Sequence, residues 1–229
     1  MQWLVSGNPE SNRIEYFQQA IAAAEFPAVH ILSYQELLSD RRQLSVERLE
    51  NSLLRIESPG KNFEVDKLLL AKGALLAQSE NAPHLTAEEV VRLQVERGLI
   101  LNPRQWYLGF RQTLREWSTV IDSAKNLKVM NHPDDIAVMF DKRSCHELMR
   151  GAGISVPQSL GRVRSYEELL ARMKETETDR VFVKLAHGSS AAGVVAFHCG
   201  RERQRAITTV ELVRAGTDVR LSSRQRVSN

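Results

Sequence analysis

The sequence predicts an α/β protein with a parallel-sheet domain first and a smaller α+β unit after it. Apolar strand patterns alternate with helical patterns in the first half, which favours a parallel sheet with helices on its faces. The last strand patterns alternate in polarity and are spaced for antiparallel hairpins. A length of 229 residues, 42% hydrophobic and 26% charged, suits about one and a half globular domains.

The first domain begins with a repeated strand-and-helix pattern. Strands are predicted over residues 2–5, 28–32 and 53–56. The helix after the first strand has one apolar face, with a spacing of three and four residues: Ile14, Phe17, Ile21 and Ala24. Ser33 with Glu36 forms a capping-box pattern, which predicts that a short helix follows the second strand.

Longer helical patterns follow in the same domain. A helix is predicted over residues 63–78, and Thr86 with Glu89 indicates a second, capped helix. Pro103 opens a third helix. Its aromatic and apolar stripe is expected in the core, because helical spacing alone explains it: Trp106, Phe110, Leu114 and Trp117.

The second unit begins near a predicted strand over residues 127–130. A helix is predicted to run through Asp141 and Lys142 to Met149, closed by two glycines. Ser165 with Glu168 indicates another capped helix. Further strands are predicted over residues 181–186, 193–198, 208–213 and 218–221. We place the boundary between residues 118 and 131, which gives domains 1–125 and 126–229.

The positive charge is concentrated at the end of the chain. The net charge is +3 and the isoelectric point is near 9.0. Seven arginines and three acidic residues follow residue 200, a net charge of +4, whereas the first 200 residues carry 24 basic and 25 acidic groups, a net charge of −1. The body therefore lacks the basic face of a nucleic-acid-binding protein, and that function rests only on the arginine-rich tail.

Cysteine usage and hydropathy predict a cytoplasmic protein. Two cysteines, Cys145 and Cys199, are too few for a disulfide framework. The first residues turn polar before a signal-peptide core forms, and no stretch approaches the roughly 18 apolar residues that a membrane span needs. We therefore expect no membrane partner.

One segment, residues 181–195, has the residue types of a phosphate site. Lys184 lies in an apolar β-pattern, and an ammonium there must reach solvent or neutralise an anion. A loop of small residues follows, whose backbone N–H groups and hydroxyls suit phosphate oxygens: Gly188, Ser189, Ser190, Ala191, Ala192 and Gly193. The alternative is an ordinary hairpin with an exposed edge lysine.

The second element of this pattern is Asp141-Lys142 on a helix, followed by Gly-Ala-Gly-Ile-Ser-Val-Pro. A helical lysine alone is usually just solvated. In this order, however, residues 131–195 resemble the nucleotide-binding lobe of the ATP-grasp superfamily, and most resemble the branch that contains glutathione synthetase and the ribosomal-protein glutamate ligases. The preceding α/β domain is similar to the pre-ATP-grasp domain of that superfamily.

The resemblance implies the roles of several residues. Lys142 and Lys184 would contact the phosphates of ATP, with Lys184 also close to the base, and the loop from Gly188 to Gly193 would cover the β- and γ-phosphates. Family members phosphorylate a carboxylate to an acylphosphate, which an amine or a thiol then attacks. The resemblance does not identify the acid, the nucleophile or any catalytic residue of this chain.

The chain also departs from the family pattern. Leu185 replaces a frequent proline after the strand lysine, and the loop contains fewer glycines. Magnesium is expected for the complete family enzyme, but no acidic residue follows Asp218, so the metal ligands of the second lobe are not visible. The chain is therefore interpreted as truncated before most of that lobe, and whether it catalyses a reaction alone stays open.

The remaining features of the sequence carry weaker signals. The six histidines show no metal-binding spacing with cysteine, so no metal site is predicted. His187 is interpreted as a turn cap in preference to a phosphate ligand, and the turn from Ser6 to Pro9 lies where open α/β sheets bind ligands. The alternative function is a non-catalytic nucleotide-binding or protein-interaction module, with self-association through an exposed sheet edge.

Overall fold

A computed structural model describes residues 1–96, 98–188, 192–200, 202–215 and 218–223. The strands are β1 (Gln2–Gly7), β2 (Val29–Ser33), β3 (Ser52–Ile56), β4 (Lys128–Val129), β5 (Arg180–Val183), β6 (Val195–Cys199), β7 (Gln204–Thr208), β8 (Val210–Ala215) and β9 (Asp218–Ser223). The helices are α1 (Asn12–Ala23), α2 (Tyr34–Leu38), α3 (Val46–Leu49), α4 (Phe63–Ser79), α5 (Ala87–Arg92), α6 (Pro103–Ser123), α7 (Pro133–Phe140), α8 (Lys142–Gly151) and α9 (Tyr166–Glu175).

The chain divides into two compact units. The first contains Met1–Val95 and Arg104–Met139, and the second contains Glu96–Pro103 and Phe140–Asn229. The domain boundary predicted between residues 125 and 126 stays a prediction. None of the helices in the described ranges combines the length and the apolar character that a membrane-spanning segment requires.

The first unit contains a four-stranded parallel sheet in the order β2-β1-β3-β4. The predicted mixed α/β class and the parallel sheet of the first domain are confirmed. The carboxyl ends of β1, β2 and β3 lie at one edge, because Ser6 is in register with both Leu32 and Ile56. Just beyond this edge, the hydroxyl of the buried Tyr34 donates a 2.7 Å hydrogen bond to the Glu57 carbonyl.

The predicted aromatic stripe of α6 faces the core of the first unit. Phe110, Leu114 and Trp117 are buried, and Trp117 stacks on the Tyr34 ring at a centroid distance of 5.4 Å. Trp106 is only partly buried, and its indole Nε1 donates a 2.8 Å hydrogen bond to Asp66 of α4. Helical spacing therefore predicted this part of the core correctly.

The Asp66 carboxyl group gives the first unit a pH-dependent stability. Burial raises its pKa to about 6, although the hydrogen bond from Trp106 opposes this shift. Because its pKa when folded exceeds its pKa when unfolded, the folded state binds this proton more tightly. The contribution is complete below about pH 4 and is lost as the pH rises through 6, about 3 kcal/mol in all.

We expect the Asp66→Asn variant to lose this contribution to the pH dependence. The free energy of unfolding of the wild type, measured by urea titration, should fall relative to that of the variant between pH 4 and 7. Asp135→Asn, at an exposed aspartate of α7, is the matched control and should follow the wild type. Parallel pH profiles for wild type and Asp66→Asn would contradict the expectation.

The second unit contains a three-stranded antiparallel sheet in the order β5-β6-β7 and an antiparallel β8-β9 hairpin. Helix α9 contributes Leu169 and Met173 to a cluster with Phe197 of β6. Residues 98–100 lie beside β9, because Ser223 donates to the Gly98 carbonyl at 2.7 Å and Ile100 donates to the Leu221 carbonyl at 2.9 Å. The predicted antiparallel pairing of this region is confirmed.

Several predicted element boundaries were wrong. The helix predicted through Asp141 is two helices, α7 and α8, because Asp141 adopts an extended backbone between them. Strand β5 ends at Val183, so Lys184 follows the strand. Strand β7 was not predicted, because its five residues are all exposed and carry no alternating apolar pattern.

The capping predictions had mixed outcomes. Thr86 and Glu89 form the predicted capping box, and the Ser165 side chain accepts a hydrogen bond from the Glu168 amide. Ser33 precedes α2 as predicted, but its side chain makes no capping hydrogen bond. The box predicted there was therefore wrong, although the helix boundary was right.

Candidate functional site

The first feature of the site is the break between α7 and α8 at Asp141. Its backbone is extended, at φ −104° and ψ 103°, and its carboxylate accepts hydrogen bonds from the Arg143 amide at 3.0 Å and the Ser144 amide at 3.5 Å. Aspartate is favoured at this position because it satisfies amides that have no partner within the helix. Lys142 is therefore the first residue of α8.

The segment that follows β5 lies directly beside this break. Asp141 and His187 form an isolated antiparallel bridge, and the Lys142 amide donates to the Ala186 carbonyl at 3.1 Å. The Lys142 ammonium then donates a 2.6 Å hydrogen bond to the Gly188 carbonyl. The start of α8 is thus joined to the first residue of the predicted phosphate loop.

The two predicted lysines are close enough to interact electrostatically. Burial lowers the pKa of Lys142, the positive charge of Lys184 lowers it further, and Asp141 partly opposes both effects. Lys184 is exposed, and its ammonium lies 5.5 Å from the centroid of the Phe182 ring. Two neighbouring ammonium groups repel one another, so an anion that lies between them is stabilised.

Asp141, the residue before Lys142, forms a buried pair with His187. They are 6% and 5% exposed, and His187 Nε2 lies 3.1 Å from Asp141 Oδ2. Burial alone would raise the pKa of Asp141, but hydrogen bonds from Arg143, together with the interaction with His187, lower it to about 2. The carboxylate is therefore ionised across the physiological pH range.

This pair was not predicted from the sequence. Asp141 was expected inside a helix and His187 as a turn cap, whereas His187 contacts the residue that caps α8. One signal was present in the sequence. Asp141 follows an apolar helical pattern and precedes Lys-Arg-Ser, which is a typical place for an N-cap.

The predicted loop is described at its two ends. Gly188 has φ 142° and Gly193 has φ 68°, which are backbone conformations that favour glycine. A Cβ at Gly193 would also lie 2.6 Å from Leu185 Cδ1. Ala192 is partly buried, and Ser189, Ser190 and Ala191 lie outside the described residues. The assignment of the six loop residues and the two lysines to ATP stays a prediction.

The described residues were also searched for clusters of side chains that could bind a metal ion. The described ranges contain no group of three or more histidine, cysteine, aspartate or glutamate residues that could hold a metal ion. The magnesium implied by the resemblance stays a prediction.

The turn from Ser6 to Pro9 lies at the carboxyl edge of the parallel sheet. Asn8 is buried, and its side-chain amide donates to the Pro59 carbonyl at 2.7 Å. This bond connects the turn after β1 to the loop after β3. Contact between this turn and a substrate stays a prediction.

Comparisons with known proteins gave one similar structure. No protein-family model matches the chain. No curated protein matches it either. The solved structure of the ATP-grasp ligase PsnB, complexed with precursor peptide PsnA2 and AMPPNP, is similar to this chain, with 15% identity, 90% of this chain and 74% of that chain covered, and a TM-score of 0.43.

Proposed function

We propose that the chain binds ATP between Lys142, Lys184 and the loop from Gly188 to Gly193. The observation that carries the proposal is the position of the Lys142 ammonium, which contacts the Gly188 carbonyl at the start of the loop and lies within electrostatic range of Lys184. A partly buried ammonium that is repelled by a second cation is destabilised without an anion. Phosphate oxygens would remove that repulsion and accept hydrogen bonds from both side chains.

The same site suits a role in phosphoryl transfer. Transfer of the γ-phosphoryl group depends mainly on positioning and on charge stabilisation, which ammonium groups and backbone amides supply. We therefore propose that the chain is the ATP-binding portion of an ATP-grasp ligase that joins a carboxylate to an amine or a thiol through an acylphosphate. Lys142 and Lys184 would hold the phosphates, and the loop would exclude water from them.

Calorimetric titration of the full chain with ATP, with and without magnesium, tests this proposal. We expect saturable binding that Lys142→Ala and Lys184→Ala each weaken about tenfold, because each substitution removes one charged hydrogen-bond donor, worth about 1.4 kcal/mol. Lys174→Ala, at an exposed lysine of α9, is the matched control and should bind as the wild type does. Absence of saturable binding to a chain with a cooperative unfolding transition would contradict the proposal.

A second candidate function is supported by the β8-β9 hairpin. Leu212 is paired with Leu221 across the hairpin, and these side chains are 62% and 43% exposed. Exposed apolar residues on a two-stranded sheet favour association with another strand or surface. Concentration-dependent self-association in sedimentation, with no affinity for nucleotide, would support a non-catalytic interaction module instead of the ligase portion.

A further inference from the structure

We propose that the buried His187–Asp141 pair positions the Lys142 ammonium at the start of the loop. The inference rests on the proposed ATP-binding function, which it extends with a pair of positioning residues. Neither residue would touch the nucleotide. Their contact would hold residues 186–188 against the first turn of α8, so that Lys142 meets the phosphates in a fixed place.

The backbone connection between these two segments is small. The Lys142 amide donates to the Ala186 carbonyl, and this hydrogen bond belongs to the isolated bridge between Asp141 and His187. A single isolated bridge is a weak pairing, because even a complete two-stranded hairpin is only marginally stable in water. A buried side-chain contact at the same point would therefore contribute much of the stability of the connection.

The charge state of Asp141 determines which atom of the pair carries the hydrogen. Its carboxylate is ionised and already accepts from the Arg143 amide and guanidinium. An ionised carboxylate only accepts hydrogen bonds, so His187 Nε2 must be the donor over the 3.1 Å contact. A bond from a buried donor to a charged acceptor is among the stronger contacts that a side chain makes.

The position of Lys142 depends on this contact through the loop. Its ammonium donates to the carbonyl of Gly188, which is the residue next to His187. If residues 186–188 move away from α8, that carbonyl moves with them and the ammonium loses its orientation. Asp141 also caps α8, so a change at His187 tests positioning with less effect on the helix.

Two substitutions distinguish positioning from simple loss of volume. The side-chain amide nitrogen of His187→Gln can occupy the place of Nε2, whereas that of His187→Asn lies nearer the place of Nδ1. We expect His187→Asn to weaken ATP binding about fivefold or more, and His187→Gln to stay within about twofold of the wild type. His198→Asn is the matched control, because His198 Nε2 lies 3.5 Å from the exposed Asp179 in a second histidine–aspartate pair.

A double-mutant cycle shows whether His187 acts through Lys142. In the Lys142→Ala background, His187→Asn should change ATP affinity by less than about twofold, because the group that it positions is gone. Additive losses from the two substitutions would overturn the proposal. Equal losses for His187→Gln and His187→Asn would also overturn it.

Amide hydrogen exchange without nucleotide separates this inference from the proposed function. The Lys142 amide reports on the bridge directly, and we expect His187→Asn to accelerate its exchange about tenfold, with His198→Asn unchanged. If the wild type does not bind ATP, the ligase proposal fails. The exchange result would still show whether the His187–Asp141 contact holds residues 186–188 against α8. Unchanged exchange of the Lys142 amide in His187→Asn would overturn the inference. If His187→Asn does not fold, His187→Gln gives the test instead, because it keeps the donor: loss of Lys142 amide protection in that variant would overturn the inference.

Discussion

Replacing Gly109 by alanine is expected to destabilise the first unit by about 3 kcal/mol or more. A Cβ at this position in α6 would lie 1.9 Å from the Leu69 carbonyl oxygen of α4. The contact is with backbone, so no side-chain rotation relieves it. The two helices would have to separate by about an ångström, which would open gaps around the buried side chains on either side of the crossing.

Glycine is also required on the α4 side of the crossing between α4 and α6. A Cβ at Gly73 of α4 would lie 2.0 Å from the Gln105 carbonyl oxygen of α6. Alanine has a helix propensity about 1 kcal/mol better than glycine, and this gain is too small to offset the overlap. We therefore expect Gly73→Ala to have an effect of the same sign and similar size.

Urea unfolding followed by tryptophan fluorescence measures the effect on the first unit. The three tryptophans, Trp3, Trp106 and Trp117, all lie in that unit. Gly60→Ala, in the same unit, is the control, because a Cβ there would meet only the Ser58 hydroxyl, at an ordinary contact distance of 3.7 Å. A Gly109→Ala variant as stable as the wild type would show that α4 and α6 do not cross this closely.

The parts of the fold that the sequence predicted are those set by local pattern. The strands near residues 2–5 and 53–56 and the stripe on α6 depend on periodicity, which neighbouring residues determine. The close approach of Gly73 to Gly109 depends on residues 36 positions apart, and an isolated glycine in a helical pattern does not reveal its partner. Local pattern therefore predicted the elements but not this helix crossing.

The same distinction applies to the candidate site. Lys142 and Lys184 were identified from their residue type and order; in the structure the Lys142 ammonium contacts the Gly188 carbonyl and lies within electrostatic range of Lys184. Asp141 and His187 are 46 positions apart, and their contact exists only because the chain after β5 returns to the start of α8. Each residue fits an ordinary local role on its own, Asp141 within a helix and His187 as a turn cap. The sequence therefore does not indicate that they contact one another.

Replacing Gln105 by glutamate is expected to destabilise the first unit by about 4 kcal/mol at pH 7. The Gln105 side chain is fully buried in α6. Its amide nitrogen donates to the carbonyls of Leu70 and Leu85, each at 2.8 Å, and its oxygen accepts from the Leu85 amide at 2.8 Å. A glutamate has the same shape and retains the acceptor oxygen. Its second oxygen, however, replaces the amide nitrogen that donates to the two carbonyl oxygens.

The pH dependence of this variant distinguishes lost hydrogen bonds from a general packing defect. A carboxyl group buried against carbonyl oxygens has a raised pKa, because burial and the neighbouring dipoles disfavour its charged form. When protonated it recovers one donor, so the deficit relative to wild type should be smallest below about pH 4 and should grow as the pH rises. Gln78→Glu, at an exposed glutamine of α4, is the control and should show a deficit below about 1 kcal/mol. A deficit in Gln105→Glu that is the same at pH 4 and pH 7 would mean that the amide nitrogen does not bridge α4 and the segment before α5, and that the contact is one of packing alone.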